Sequence, residues 1–277
     1  MFELVEGANI LSVFFLGVAC FSAAFIDAVA GGGGLISLPA FLASGLPAHI
    51  ALGSNKFAAC CSTIASSAKF AQSGKVNWIL VRKLAGFSFI GAVLGVKTVV
   101  MIDSKYLYPV AIILLIIVLL YSLYNKNLGE KNRFNGLNRE NIKWGIIMAF
   151  SLGFYDGFFG PGAGSFLIFA IIRIFKMDFT NASGNAKILN LASNMASVMM
   201  FVAMGKVNFL YSFIMAGIMI IGATLGAKMA VTKGSEFIKP IFLMVTSIVL
   251  SKMVAESIFN IDVAGLGKNI MLSFSQI

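Results

Sequence analysis

The sequence predicts an all-α integral membrane protein: two inverted repeats of about five membrane segments each, eight to ten in total, with glycine-broken helices. Three observations carry this. First, charged residues make up only 12% of the 277 residues and mean hydropathy is +0.93. A soluble domain carries roughly 25% charged residues. Second, apolar runs near the ~20 residues needed to cross a bilayer recur along the chain. Third, the pattern of the first half returns in the second.

Residues 8–30 form the first run, interrupted by Gly31 to Gly34 and continued by a short piece at 35–46. At about 1.5 Å per residue that piece rises only about 18 Å, so it is expected to be a half-helix or re-entrant segment. Pro47 to Ile50 reads as a turn, and runs follow at 51–73, 79–98 and 106–124. Residues 125–143 are polar and basic, with Lys126, Lys131, Arg133, Arg139 and Lys143. The pattern restarts with 144–159, a Gly-Pro break, then 163–176, 182–204, 208–228 and 239–256. The expected units are therefore an N-terminal membrane repeat at 1–124, a basic cytoplasmic linker at 125–143 and a C-terminal membrane repeat at 144–277.

Identities in register relate the halves. Asp27, Gly31 and Gly33 recur 129 residues on as Asp156, Gly160 and Gly162. At a spacing of 131, Gly53, Lys56 and Ser62 recur as Gly184, Lys187 and Ser193, and Gly74-Lys75-Val76-Asn77 as Gly205-Lys206-Val207-Asn208. Gly86, Gly91, Gly95, Lys97 and Pro109 follow as Gly217, Gly222, Gly226, Lys228 and Pro240. Duplicated membrane units mark many secondary transporters. With 125–143 placed inside, the loops at 74–83, 173–178 and 228–239 also fall inside and hold eight Lys and Arg, against Lys97, Lys105, Lys206 and Lys268 left outside, as the positive-inside rule requires. That arrangement needs an odd number of crossings per half and inverts the second repeat.

A hydrocarbon environment tolerates neither a lone charge nor an unpaired backbone. The stretch from Asp27 to Pro39 holds a carboxylate and four successive glycines, and its second copy runs from Asp156 to Gly164. Such glycines either permit close helix packing or unwind the helix so that amides and the following helix N-terminus attract an anion. On the second reading Gly31, Gly32, Gly33, Gly34, Gly160, Gly162 and Gly164 are amide donors. Asp27 and Asp156 are coupling or pairing carboxylates. Lys187, Asn190, Asn194 and Ser197 share one helix face, with Lys56, Ala59, Thr63 and Ser66 as repeat partners and Asn55 beside Lys56. A lysine within an apolar run needs a partner: an anionic substrate, Asp27 or Asp156. The Ser, Thr and Asn members equally suit interhelical hydrogen bonding.

Other signals point away from other functions. The net charge of +10 lies in loops flanking apolar runs, which is topology rather than nucleic-acid binding. Cys20, Cys60 and Cys61 lack metal-site spacing, and His49 is the single histidine. No cofactor and no catalytic residue is expected. No secretory signal is expected either, since the first residues are acidic.

The run Ala24-Phe25-Ile26-Asp27-Ala28-Val29-Ala30-Gly31-Gly32-Gly33-Gly34-Leu35-Ile36-Ser37-Leu38-Pro39, followed by Gly53-Ser54-Asn55-Lys56, resembles the TauE/SafE family of membrane permeases, also called the sulfite exporter family. Gly153 to Gly162 and Asn185 to Asn194 reinforce it, and the resemblance covers roughly 8–256. Ser54 stands where the family commonly has threonine, which keeps the hydroxyl. The resemblance implies movement of sulfur-containing anions such as sulfite, thiosulfate or organosulfonates. The expectation is a multi-pass cell-membrane transporter of a small anion, with the lipid bilayer and a proton or sodium gradient as partners. A channel is the first alternative and a membrane enzyme the second.

Overall fold

A computed structural model of the chain describes residues 10–44, 46–101, 129–244 and 247. Eight helices are defined there: α1 (Ile10–Ala30), α2 (Gly34–Ala43), α3 (Ala48–Gln72), α4 (Trp78–Val99), α5 (Arg139–Phe158), α6 (Ala163–Phe175), α7 (Phe179–Ala203) and α8 (Phe209–Lys233). A further helical stretch follows at 235–244. No strand occurs among the described residues. The run expected at 106–124, most of that at 239–256 and part of the basic linker lie outside them.

Local chemistry explains the boundaries. Gly74 and Gly205 adopt φ of +69° and +64° just after α3 and α7, as helix-terminating glycines do. Asn77 and Asn208 then cap the next helices, accepting from the amides of Leu80 at 3.0 Å and Tyr211 at 3.2 Å. The repeated Gly-Lys-Val-Asn is thus a helix-stop, helix-start turn. α5 begins at Arg139, earlier than hydropathy alone implied, because Asn138 and Asn141 form a reciprocal cap at 2.9 and 2.8 Å.

Among the described residues four helices, α1, α4, α7 and α8, are long and apolar enough to cross a membrane. Their outer faces expose Phe14, Ile90, Met199, Phe213 and Ile221, while Ser, Asn, Lys and Asp side chains are buried inside. An apolar exterior over a polar-studded interior suits lipid rather than water. α2 and α6, of 10 and 13 residues, reach about 15 and 20 Å, short of the ~30 Å hydrocarbon core.

The halves interlock by exchange. α4 packs on α5 and α7, and its repeat partner α8 packs on α1 and α3. Small residues make these contacts close. A Cβ at Gly91 or Gly95 would lie 2.2 or 2.1 Å from carbonyls of Phe150 and Phe154, and one at Gly222 or Gly226 would lie 2.4 Å from carbonyls of Phe21 and Phe25. These are small-xxx-small interfaces, which let membrane helices gain dispersion energy by backbone approach. The α3–α7 pair runs antiparallel: Gly53 meets Lys206, Thr63 meets Asn194 and Ser67 meets Lys187. Thr63 and Asn194 are repeat equivalents, so the two helices cross at a shared midpoint. Docking is reciprocal as well: Ser54 accepts from the amide of Asn208 at 2.9 Å, and its equivalent Asn185 accepts from the amide of Asn77 at 3.0 Å.

Candidate functional site

Both glycine runs break their helices. α1 stops at Ala30 and α2 starts at Gly34; α5 stops at Phe158 and α6 starts at Ala163. Gly31, Gly32, Gly160 and Gly162 take φ between +75° and +90°, a region that side-chain-bearing residues rarely enter. The breaks also touch. A Cβ on Gly31 would fall 2.3 Å from the Ser165 nitrogen, and one on Gly164 would fall 3.0 Å from the Gly31 Cα. The Ser165 hydroxyl ties them by donating to the Ala30 carbonyl at 3.0 Å. Tyr155 steadies the second break, donating to the Pro161 carbonyl at 2.7 Å. Close packing and unwinding, the two sequence alternatives for these glycines, therefore coexist.

Beside the crossing lies a cavity of about 40 Å³, enough for a few water molecules. Its wall includes Asp27, Gly32, Gly33, Gly34, Asn55, Lys56, Asp156, Gly160, Gly162, Gly164, Asn190 and Asn194. Twelve of the fourteen residues proposed from sequence thus converge. The exceptions are Gly31 and Lys187. Gly31 is pressed between the breaks, and its amide donates to the Asp27 carbonyl at 2.9 Å, so it is not an open donor. Lys187 is 1% exposed and ion-paired with Asp27, behind the wall rather than in it.

Two other amides are also engaged: Gly33 donates to Asp27 Oδ1 at 3.3 Å and Gly160 to the Tyr155 carbonyl at 3.0 Å. The amides of Gly32, Gly34, Gly162 and Gly164 have no acceptor among the described residues. All four belong to cavity-wall residues, in the first turns of α2 and α6 or just before them.

The ion pairs cross between halves and are each other's repeat images. Asp27 pairs with Lys187, and Asp156 pairs with Lys56 at 2.8 Å. The second pair sits in a polar network. Asp156 Oδ2 accepts from the Ser193 hydroxyl at 2.6 Å and the Asn190 amide at 3.3 Å. Lys56 Nζ also donates to Asn194 Oδ1 at 3.3 Å, and the Asn194 amide donates to Thr63 Oγ1 at 3.3 Å. Asn55 is 5% exposed, and its Oδ1 has no donor among the described residues. Buried polar groups are rarely left so.

Ser193, Ser37 and Ser62 belong to the site or its support but were not assigned to it from sequence, whereas Thr63, expected on the polar stripe as the repeat partner of Asn194, lines the cavity. The signal existed for two of them: Ser193 lies three residues past Asn190 and repeats as Ser62. Ser37 has no such marker.

The profile described as "Sulfite exporter TauE/SafE" matches residues 16–253. The chain belongs to the TauE/SafE family. A Haemophilus influenzae relative named "Probable membrane transporter protein" is 36% identical over 248 residues, covering 90% of this chain and 96% of the relative. The Escherichia coli "Probable membrane transporter protein YfcA" is 32% identical over 258 residues, covering 92% and 95%. A Sinorhizobium protein named "Probable membrane transporter protein ORF9" is 31% identical over 242 residues, covering 87% and 92%. No solved structure matches significantly. In this TauE/SafE member the family match spans both breaks and both ion pairs, and membrane transport is the family's assigned role.

Proposed function

We propose that the protein is a secondary transporter of a small, sulfur-containing oxyanion, working by alternating access between two inverted repeats. One observation carries the reading: four backbone amides without acceptors, two from each break, border one small cavity that also holds Lys56. Oriented amides at helix N-termini favour negative charge, and Lys56 adds a full positive charge. Asn55, Asn190 and Asn194 supply orienting donors and acceptors on the same wall. A tetrahedral oxyanion fits such a ring because it accepts in several directions at once.

The antiparallel α3–α7 crossing, the reciprocal docking of Ser54 and Asn185, and the crossed ion pairs support inversion, since a two-fold axis in the membrane plane produces such pairs. On this reading 125–143 is cytoplasmic and 45–50 faces the opposite side. A proton or sodium gradient drives the cycle, and the protein carries out no covalent chemistry. The family's description as a sulfite exporter favours sulfur chemistry for the cargo.

A thermal-shift panel of purified protein against sulfite, thiosulfate, sulfate, sulfoacetate, taurine and acetate tests this. A ligand of the site raises the melting temperature with concentration by mass action. A panel in which every anion is silent contradicts the reading.

A further inference from the structure

We infer that Asp156 is a tethered competitor for the transported anion, and that a proton taken up by its carboxylate is the coupling ion. The inference rests on the anion-transport reading above.

Asp156 already occupies an anion site. One carboxylate oxygen lies 2.8 Å from Lys56 Nζ. The other receives Ser193 Oγ at 2.6 Å and Asn190 Nδ2 at 3.3 Å. An incoming oxyanion would call on these same donors. The cavity beside them is small, at about 40 Å³, and an anion that contacted Lys56 there would share its donors with the carboxylate. Lys56 Nζ is the hinge of the arrangement: it touches Asp156 and Asn194, and it would lie 2.9 Å from a Cβ on Gly160, at the second break itself.

Charge decides what must move with the anion. The side chains of Lys56 and Asp156 are only 5% and 4% exposed, and together they are neutral. A monovalent anion entering alone leaves one uncompensated negative charge in a poorly solvated site, a state proteins avoid. A proton arriving with it removes that charge. The carboxylate becomes a carboxylic acid, its bond to Lys56 weakens, and Lys56 turns to the anion. The balance is simple: one anion and one proton enter, one carboxylate proton is gained, and the site stays neutral. Release reverses each step.

No other group near Asp156 accounts for the proton equally well. From α3 it faces Lys56 and, within electrostatic range, Cys60. From α7 it faces Asn190 and Ser193, neither titratable. From α4, Ala92 and Gly95 meet this turn of α5. From the second break, a Cβ on Gly160 would lie 3.3 Å from Asp156 Oδ1, and Gly160 carries no charge. Tyr155 on its own helix directs its hydroxyl to Pro161. Asp27 borders the same cavity but is held by Lys187 and the Gly33 amide.

The test uses methanesulfonate, which stays a monoanion at any usable pH, so pH dependence belongs to the protein. Its Kd is measured by calorimetry on purified full-length protein between about pH 5.5 and 8.5, and proton uptake is measured in weakly buffered solution. Proton-coupled binding weakens about tenfold per pH unit above the pKa of the binding group, with one proton taken up per anion. Asp156→Asn, which keeps the shape but is never charged, binds with a Kd independent of pH and with no proton uptake. Should that variant fail to fold, the wild-type proton count alone decides. Binding with a flat Kd and no proton uptake overturns the coupling role while leaving the anion site intact. Silence towards methanesulfonate, sulfite and thiosulfate alike removes the anion site and this inference together.

Discussion

At the scale of single residues, the two ion pairs are equivalent by position but differ in setting. Lys56 is held in a network open to the cavity, whereas Lys187 is sealed behind Asp27. Removing one partner of a buried pair strands the other charge, at a cost of about 3–5 kcal/mol. Lys56→Met and Lys187→Met are therefore both expected to lower the unfolding free energy in detergent by amounts of that order. Their rescue separates pairing from binding. Asp27→Asn combined with Lys187→Met should be more stable than the sum of the single losses, by a coupling of about 0.5–3 kcal/mol in a double-mutant cycle. Additive losses would mean that the pair contributes no mutual stabilisation. Lys56→Met combined with Asp156→Asn should recover stability in the same way and still fail to shift its melting temperature with any anion.

The residue scale was largely legible in the sequence. Lysine and aspartate are too costly in hydrocarbon to stand alone, so their presence at 27, 56, 156 and 187 announced a buried polar centre. Which lysine met which aspartate was not legible. That depends on the halves crossing, and nothing in the spacing of one helix records it. Gly31 shows the same limit: it looked like its neighbours in the run, yet the approach of Ser165 gives it a packing role.

At the scale of elements, the glycines fall into two groups with opposite predicted responses to alanine. Gly31 combines φ of +75° with a Cβ position 2.3 Å from backbone. Gly31→Ala should cost at least the ~1–3 kcal/mol of a strained backbone conformation, with added displacement of α6. Gly86 and Gly217 lie inside α4 and α8 with open space around them. Gly86→Ala and Gly217→Ala should be neutral or stabilising by about 0.5–1 kcal/mol, the usual helix preference for alanine. Thermal unfolding of the three variants checks this, and a Gly86→Ala loss as large as that of Gly31→Ala would contradict it. Hydropathy located the helices to within a few residues because apolar runs must be continuous to span lipid. It missed the start of α5, since Arg139, Glu140, Asn141 and Lys143 are polar and only the Asn138–Asn141 cap marks the helix.

At the scale of the whole molecule, the exchange of α4 and α8 between halves means that neither repeat encloses the cavity alone. The wall draws on α1 to α3 from one half and on α5 to α7 from the other, with Met219 of α8 closing it. Rocking one half against the other would expose this centre first to one side and then to the other, as alternating access requires. The turns at 45–50 and 173–178 are repeat equivalents, so inversion places them on opposite faces of the membrane. Cysteine introduced by Pro47→Cys should react with an impermeant thiol reagent from outside the cell, and cysteine from Lys176→Cys only after the membrane is opened. Labelling of both from the same side would contradict the inverted arrangement. The sequence held this duplication in plain view, because glycines at helix crossings cannot drift without clashes. It could not show that the two copies of the break touch each other.

Flux in proteoliposomes bears most directly on the central claim that the crossed breaks and Lys56 form one anion site. The anion giving the largest thermal shift is loaded on one side and its movement followed with and without a pH gradient. The account predicts saturable flux that Lys56→Met abolishes although the variant still inserts in the membrane. Flux that fails to saturate, or that Lys56→Met leaves unchanged, would contradict it.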